Sequence, residues 1–149
     1  IPSQLYTPLE MGLGRLVSLD KERFVGRAAL EAEAARGPAR QVSGLEVEWA
    51  EVEAIYERAG LPPSIGATAS RVAVPVYIAG RHVGRATSTT WSPVLKKMIA
   101  LGTIDAGYYN PGTRLEMEVT VEAVRHRVAA TVVKTPFFNP GRKTATPPH

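Results

Sequence analysis

From residue 40 onward, apolar and polar residues alternate along most of the chain, the period of a half-buried strand. Leu115-Glu116-Met117-Glu118-Val119-Thr120-Val121-Glu122 shows it most cleanly, apolar on one face and mostly acidic on the other. Val72–Ile78, His82–Thr90, Lys97–Asp105 and Val124–Thr135 read as further strands. Gln41–Glu48 alternates too, with Gly44 as a candidate bulge. Turns fall between them at Ala79-Gly80-Arg81, at Ser92-Pro93 and at Tyr108-Tyr109-Asn110-Pro111-Gly112. Pro93 lacks an N–H and pushes Ser92 out of the helical region, so a strand breaks there. Five or six strands separated by turns predict a mainly β fold, a small antiparallel Greek-key-like barrel.

Two segments carry the helical period instead. Arg27–Arg36 is Ala-rich and is closed by Gly37-Pro38. It predicts a connector helix ahead of the barrel, with Phe24, Ala28 and Ala35 near one side and Arg27, Glu31 and Glu33 in solvent. Trp49, Val52, Ile55, Tyr56 and Ala59 recur at helical spacing before Gly60-Leu61-Pro62-Pro63, which predicts a helix inserted in a loop. Near the start, Thr7 suits a helix cap, Pro8 the first helical position and Glu10 the positive end of the dipole. Gly12 and Gly14 then stop that helix early. The tail Pro136–His149 reads as extended, anchored at its start by Phe137-Phe138.

Composition narrows the chemistry. A hydrophobic share of 44% over 149 residues supports a packed core. With no Cys there is no disulfide framework, thiolate metal site or Cys nucleophile, which fits a reducing cytoplasm. His82, His126 and His149 are scattered, so no metal site is expected. No apolar run reaches the roughly 20 residues that span a bilayer, so no membrane is expected as a partner. The net charge of +4 is spread among acids, as in Asp20-Lys21-Glu22-Arg23, and predicts a soluble basic surface with no nucleic-acid partner. Arg125-His126-Arg127 reads as an exposed strand face.

Candidate catalytic groups are few. Ser92 lacks a visible base and a strand–turn–helix elbow, and turn formation explains Ser92-Pro93 better. Asp105 fits turn capping better than a general base, and Tyr108-Tyr109 fit packing at the barrel mouth. Gly12-Leu13-Gly14 lacks the third Gly, the preceding strand and the Lys-Ser/Thr pair of a phosphate loop. No catalytic residue is assigned to this chain.

Read in order, several motifs carry a family resemblance. Tyr6-Thr7-Pro8-Leu9-Glu10-Met11-Gly12-Leu13-Gly14, Asp20-Lys21, Phe24-Val25-Gly26-Arg27 and Ala29-Leu30 form the first group. Val83-Gly84, Thr87-Ser88, Ser92-Pro93, Leu95, Ile99-Ala100, Gly112 and Pro136-Phe137-Phe138-Asn139-Pro140 form the second. Together they resemble the C-terminal portion of the aminomethyltransferases, the T protein of the glycine cleavage system and its relatives. The opening Ile1, with no initiator Met, fits a chain that starts within a longer protein.

The resemblance implies three parts. Residues 1–37 would be the tail of the folate-binding domain with its connector helix, 38–138 the C-terminal barrel, and 139–149 an extended tail. It implies tetrahydrofolate as cofactor, and as partners an N-terminal folate-binding domain of the same protein and a lipoyl carrier protein. The acid that assists transfer lies in the family's N-terminal part, so this portion alone would not catalyse. Arg71 matches a family position facing the folate channel, where a guanidinium could pair with a glutamyl carboxylate. It also reads as a surface arginine at a strand start, and both readings stay open. Trp91 reads as packing on the barrel rim, or as a stacking partner for a pterin. The insertion Trp49–Ser70 and Arg15, where the commonest T proteins carry an aromatic, depart from the family pattern. The alternatives are a folate-dependent O-, S- or N-demethylase of the same family, and a non-enzymatic barrel like the second domain of translation factors.

Overall fold

The computed structural model describes residues 5–66 and 68–143. Six strands, β1 (Arg40–Val47), β2 (Val74–Ile78), β3 (Arg81–Ser92), β4 (Lys97–Asp105), β5 (Arg114–Val121) and β6 (Val124–Val133), close a barrel in the order β1-β4-β3-β2-β5-β6. Every pairing is antiparallel. Strands β2, β3 and β4 follow one another by hairpins, and β5 returns beside β2, which is the Greek-key arrangement. The predicted mainly β barrel is therefore the observed fold.

Alternation becomes burial in the expected way. Leu45, Val47, Val76, Val83, Ile104, Leu115, Met117, Val128 and Val132 point inward and are buried. The hairpin corners take left-handed backbone. Ala79 and Gly80 have φ of 47° and 80°, and Glu122 and Ala123 have 49° and 61°. Two successive positive φ values match the twist of the flanking strands.

Two glycines permit close approaches. A Cβ on Gly84 would lie 2.3 Å from the Thr103 carbonyl oxygen on the neighbouring strand. Gly44 is no bulge, since β1 runs in unbroken register with β4. A Cβ there would meet the Phe137 ring at 2.8 Å. Phe137 thus anchors the tail, whereas Phe138 is exposed. The expected extended tail ends instead in a 3₁₀ turn at Gly141–Lys143, and residues 144–149 lie outside the described residues.

Helix α1 spans Arg27–Arg36, and helix α2 spans Trp49–Arg58, inserted between β1 and β2. Helix α2 buries Val52 and Ile55 in the barrel core, and Glu51 accepts a hydrogen bond from the Ala129 N–H at 2.7 Å. Helix α1 departs from expectation. Ala28 and Ala35 are exposed, and its one buried residue is Glu33. The reason is a hydrogen-bonded clasp. Thr7 donates to Glu33 at 2.7 Å and accepts from the Glu10 N–H, while the Thr7 N–H donates to the Glu10 carboxylate. The Thr7–Glu10 exchange is a capping box around a single turn. Glu10 also pairs with Arg40 at 3.1 Å, which ties the segment to β1.

Candidate functional site

Strands β2 and β5 pair at only two positions, Val76↔Met117 and Tyr77↔Glu116. Beyond them the two diverge, and a groove of about 310 Å³ opens in the barrel wall. One side is the segment leading into β2, where Ser70, Val72 and Val74 face the groove. Ser70 is held by a two-way backbone bridge to Thr89 of β3. The other side is β5 from Met117 to Thr120, and the loop after α2 contributes Ile65 and Thr68.

The floor is aromatic. Trp49 starts α2 and Trp91 lies near the end of β3, with ring centroids 4.8 Å apart and planes tilted by 59°. Met98 of β4, directly opposite Trp91, extends this surface. Thr89, Thr90 and Thr120 add hydroxyls, and Glu118 is the single charged residue of the lining. The Tyr77 hydroxyl donates to Glu118 at 3.0 Å. Sequence reasoning placed Trp91 at the rim but did not bring Trp49 to it. The signal available was the apolar start of an inserted helix.

Arg71 is exposed and does not line the groove, although Ser70 and Val72 on either side of it do. In an extended segment alternate side chains face opposite ways, so the guanidinium stands on the outer side. The remaining candidates are apart. The Ser92 hydroxyl accepts from the Leu95 N–H at 3.3 Å and shapes the β3–β4 turn. At the end of β4 the Asp105 carbonyl, not its carboxylate, accepts from Tyr108 N–H. Arg127 lies over the Tyr77 ring at 4.0 Å on the outer face of β6.

A second polar cluster joins the N-terminal segment to the barrel. The Tyr6 hydroxyl meets Arg85 at 3.4 Å and Thr103 at 3.2 Å, while Arg40 stacks over its ring. The hydrogen bond from Arg85, then that with Thr103, holds the Tyr6 hydroxyl below its ordinary pKa of 10.0. Among the described residues no group of three or more His, Asp or Glu could hold a metal. Nor is any helix long and apolar enough to cross a membrane.

The model of the glycine cleavage T-protein C-terminal barrel domain matches residues 57–139. The chain belongs to this family. The match to the T-protein barrel starts within α2 and runs through β2–β6. Curated aminomethyltransferases of Prochlorococcus marinus (strain MIT 9313) and Bacillus cereus (strain B4264) are each 38% identical over 133 residues. These cover 89% of this chain but 30% and 31% of the relatives. The chain thus spans about a third of their length. The crystal structure of the glycine cleavage system aminomethyltransferase T from Bartonella henselae superposes with a TM-score of 0.65 at 20% identity. It covers 89% of this chain and 32% of that one, and supports the T-protein barrel fold.

Proposed function

We propose that this chain is the C-terminal part of a tetrahydrofolate-dependent aminomethyltransferase, its barrel forming one wall of the folate channel. The observation that carries the reading is the barrel-family match, supported by similarity to curated aminomethyltransferases over 89% of the chain. Residues 1–37 close the folate-binding domain, 38–138 form the barrel and 139–149 the tail. The exposed Leu16 and Val25 of the segment before α1 suit contact with a preceding domain. A lipoyl carrier protein would deliver the aminomethyl group, and the cytoplasm is the expected compartment. The cofactor supplies the nitrogen that takes up the one-carbon unit, while the protein orients the reactants and excludes water.

The residues present fit one end of that cofactor. Arg71 is exposed, and among the described residues no acid pairs with its guanidinium. It is therefore open to a glutamyl carboxylate. The groove itself, with Glu118 unneutralised, does not suit an anionic tail. In this reading the tail lies along Arg71, and the chain alone contributes binding rather than catalysis. Calorimetry of the full-length protein with tetrahydrofolate tests it. Arg71→Ala should weaken affinity roughly tenfold, the scale of one charge-assisted hydrogen bond. Unchanged affinity would remove Arg71 from the site.

A demethylase of the same family is the second reading, favoured by helix α2 and its loop. That inserted element contributes Trp49 and Ile65 to the groove that Ser70 and Val72, the neighbours of Arg71, also line. Assay of the full-length protein with an aminomethyl-loaded lipoyl carrier separates the two readings. Turnover supports the transferase, and its absence alongside turnover of an N-methyl donor supports the demethylase.

A further inference from the structure

Both tryptophans of the chain line the same groove, and their tilted rings form an aromatic corner. Met98 and Val74 continue its apolar wall. The chain carries a net charge of +4, yet the one charged residue lining the groove is an acid, Glu118. Arg127 sits opposite Glu118 in the β5–β6 register, where it could neutralise the carboxylate. It pairs instead with Glu116 at 3.7 Å and stacks on Tyr77. Among the described residues no Lys or Arg forms an ion pair with Glu118; its hydrogen-bond partner is the neutral Tyr77 hydroxyl.

We infer that the Trp49–Trp91 groove binds a small alkylated ammonium ion, its alkyl groups against the indoles and Met98 and its charge facing Glu118. Aromatic faces attract a cation through the ring quadrupole, most strongly for tryptophan. Alkyl groups around the nitrogen suit an apolar wall, which would leave the N–H donors of a bare ammonium unsatisfied. An anion would meet the Glu118 charge with no cation on the lining to offset it. A neutral apolar ligand would desolvate that carboxylate without pairing it. The groove volume of about 310 Å³ is at the small end of ligand sites. This inference does not depend on folate, and the Arg71 measurement leaves it unaffected.

Tryptophan fluorescence reports on this groove because the chain has no other tryptophan. Tetramethylammonium chloride, titrated against sodium chloride at matched ionic strength, should give a saturable change. Tert-butanol, similar in shape and uncharged, should give none. Glu118→Gln keeps a hydrogen-bond acceptor for Tyr77 and should weaken tetramethylammonium binding about fivefold to tenfold. Trp91→Leu should abolish the response of the remaining Trp49. An equal saturable response to tert-butanol, or undiminished binding in a folded Glu118→Gln variant, would overturn the inference. If Trp91→Leu fails to fold, the Glu118→Gln titration decides.

Discussion

The barrel and the segment before it are held by different forces. In the barrel the fully buried side chains are aliphatic, Leu45, Ile104, Met117 and Val128 among them. Between residues 5 and 39 the buried residues are two acids, Glu10 and Glu33. Apolar burial is non-directional and adds with area, so the barrel gains stability from every inward position. The preceding segment hangs on a few directional bonds around Thr7, Glu10, Glu33 and Arg40. Removing one partner there leaves a buried carboxylate unsatisfied. The contrast implies a robust barrel carrying a segment that can be loosened by itself.

The largest effect should come from breaking the barrel's tightest backbone approach. Gly84→Ala places a methyl group on the Thr103 carbonyl and should cost about 3 kcal/mol, read as a lowered denaturant midpoint of the whole domain. A midpoint unchanged within error would show that β3 and β4 can shift apart cheaply. Thr7→Ala should act locally, at about 1–3 kcal/mol, for a lost cap and a buried Glu33 carboxylate left without its donor. Amide exchange over residues 5–36 should accelerate while β1–β6 keep their protection. Equal acceleration throughout would mean that the two regions unfold as one unit.

The smallest effect concerns pH. Because Arg85 favours the Tyr6 phenolate, the folded chain releases that proton at lower pH than the unfolded chain does. In that window the unfolded state binds more protons, so stability rises with pH. The gain is complete above the unfolded value near 10.0 and is lost as pH falls through the lowered folded value. Tyr6→Phe should flatten the alkaline side of the stability profile, while at neutral pH it costs only the hydrogen bonds with Arg85 and Thr103. Phenolate absorbance in the same variant should lose a component that ionises below the ordinary value of 10.0. Wild-type and variant titrations that differ only at pH 10.0 and above would remove Arg85 as the cause.

Local patterns were the most legible. The strands on either side of Ser92-Pro93, helix α1 and helix α2 follow from period, composition and turn residues. Glu33 was misjudged because a carboxylate at a helix position reads as solvated until its partner is known. Thr7 lies on a separate turn, 26 residues away in sequence. Gly44 was misread for a similar reason, since Phe137 packs on it from beyond the last strand. Arg71 was singled out through family resemblance, and alternation around Ser70 and Val72 explains why it stands outside the groove.

The sequence by itself determined which stretches are strands, which two are helices and the turns at Ala79-Gly80-Arg81 and Ser92-Pro93. These are short-range consequences of side-chain period and of φ at Gly and Pro. Tertiary structure alone decided the closure of β1 on β6, the brief pairing of β2 with β5 and the groove where they part. Such pairings join residues far apart in the chain, and no local pattern encodes which edge will meet which. The contact between Trp49 and Trp91, and the groove that they and Glu118 line, exist only because the barrel closes that way.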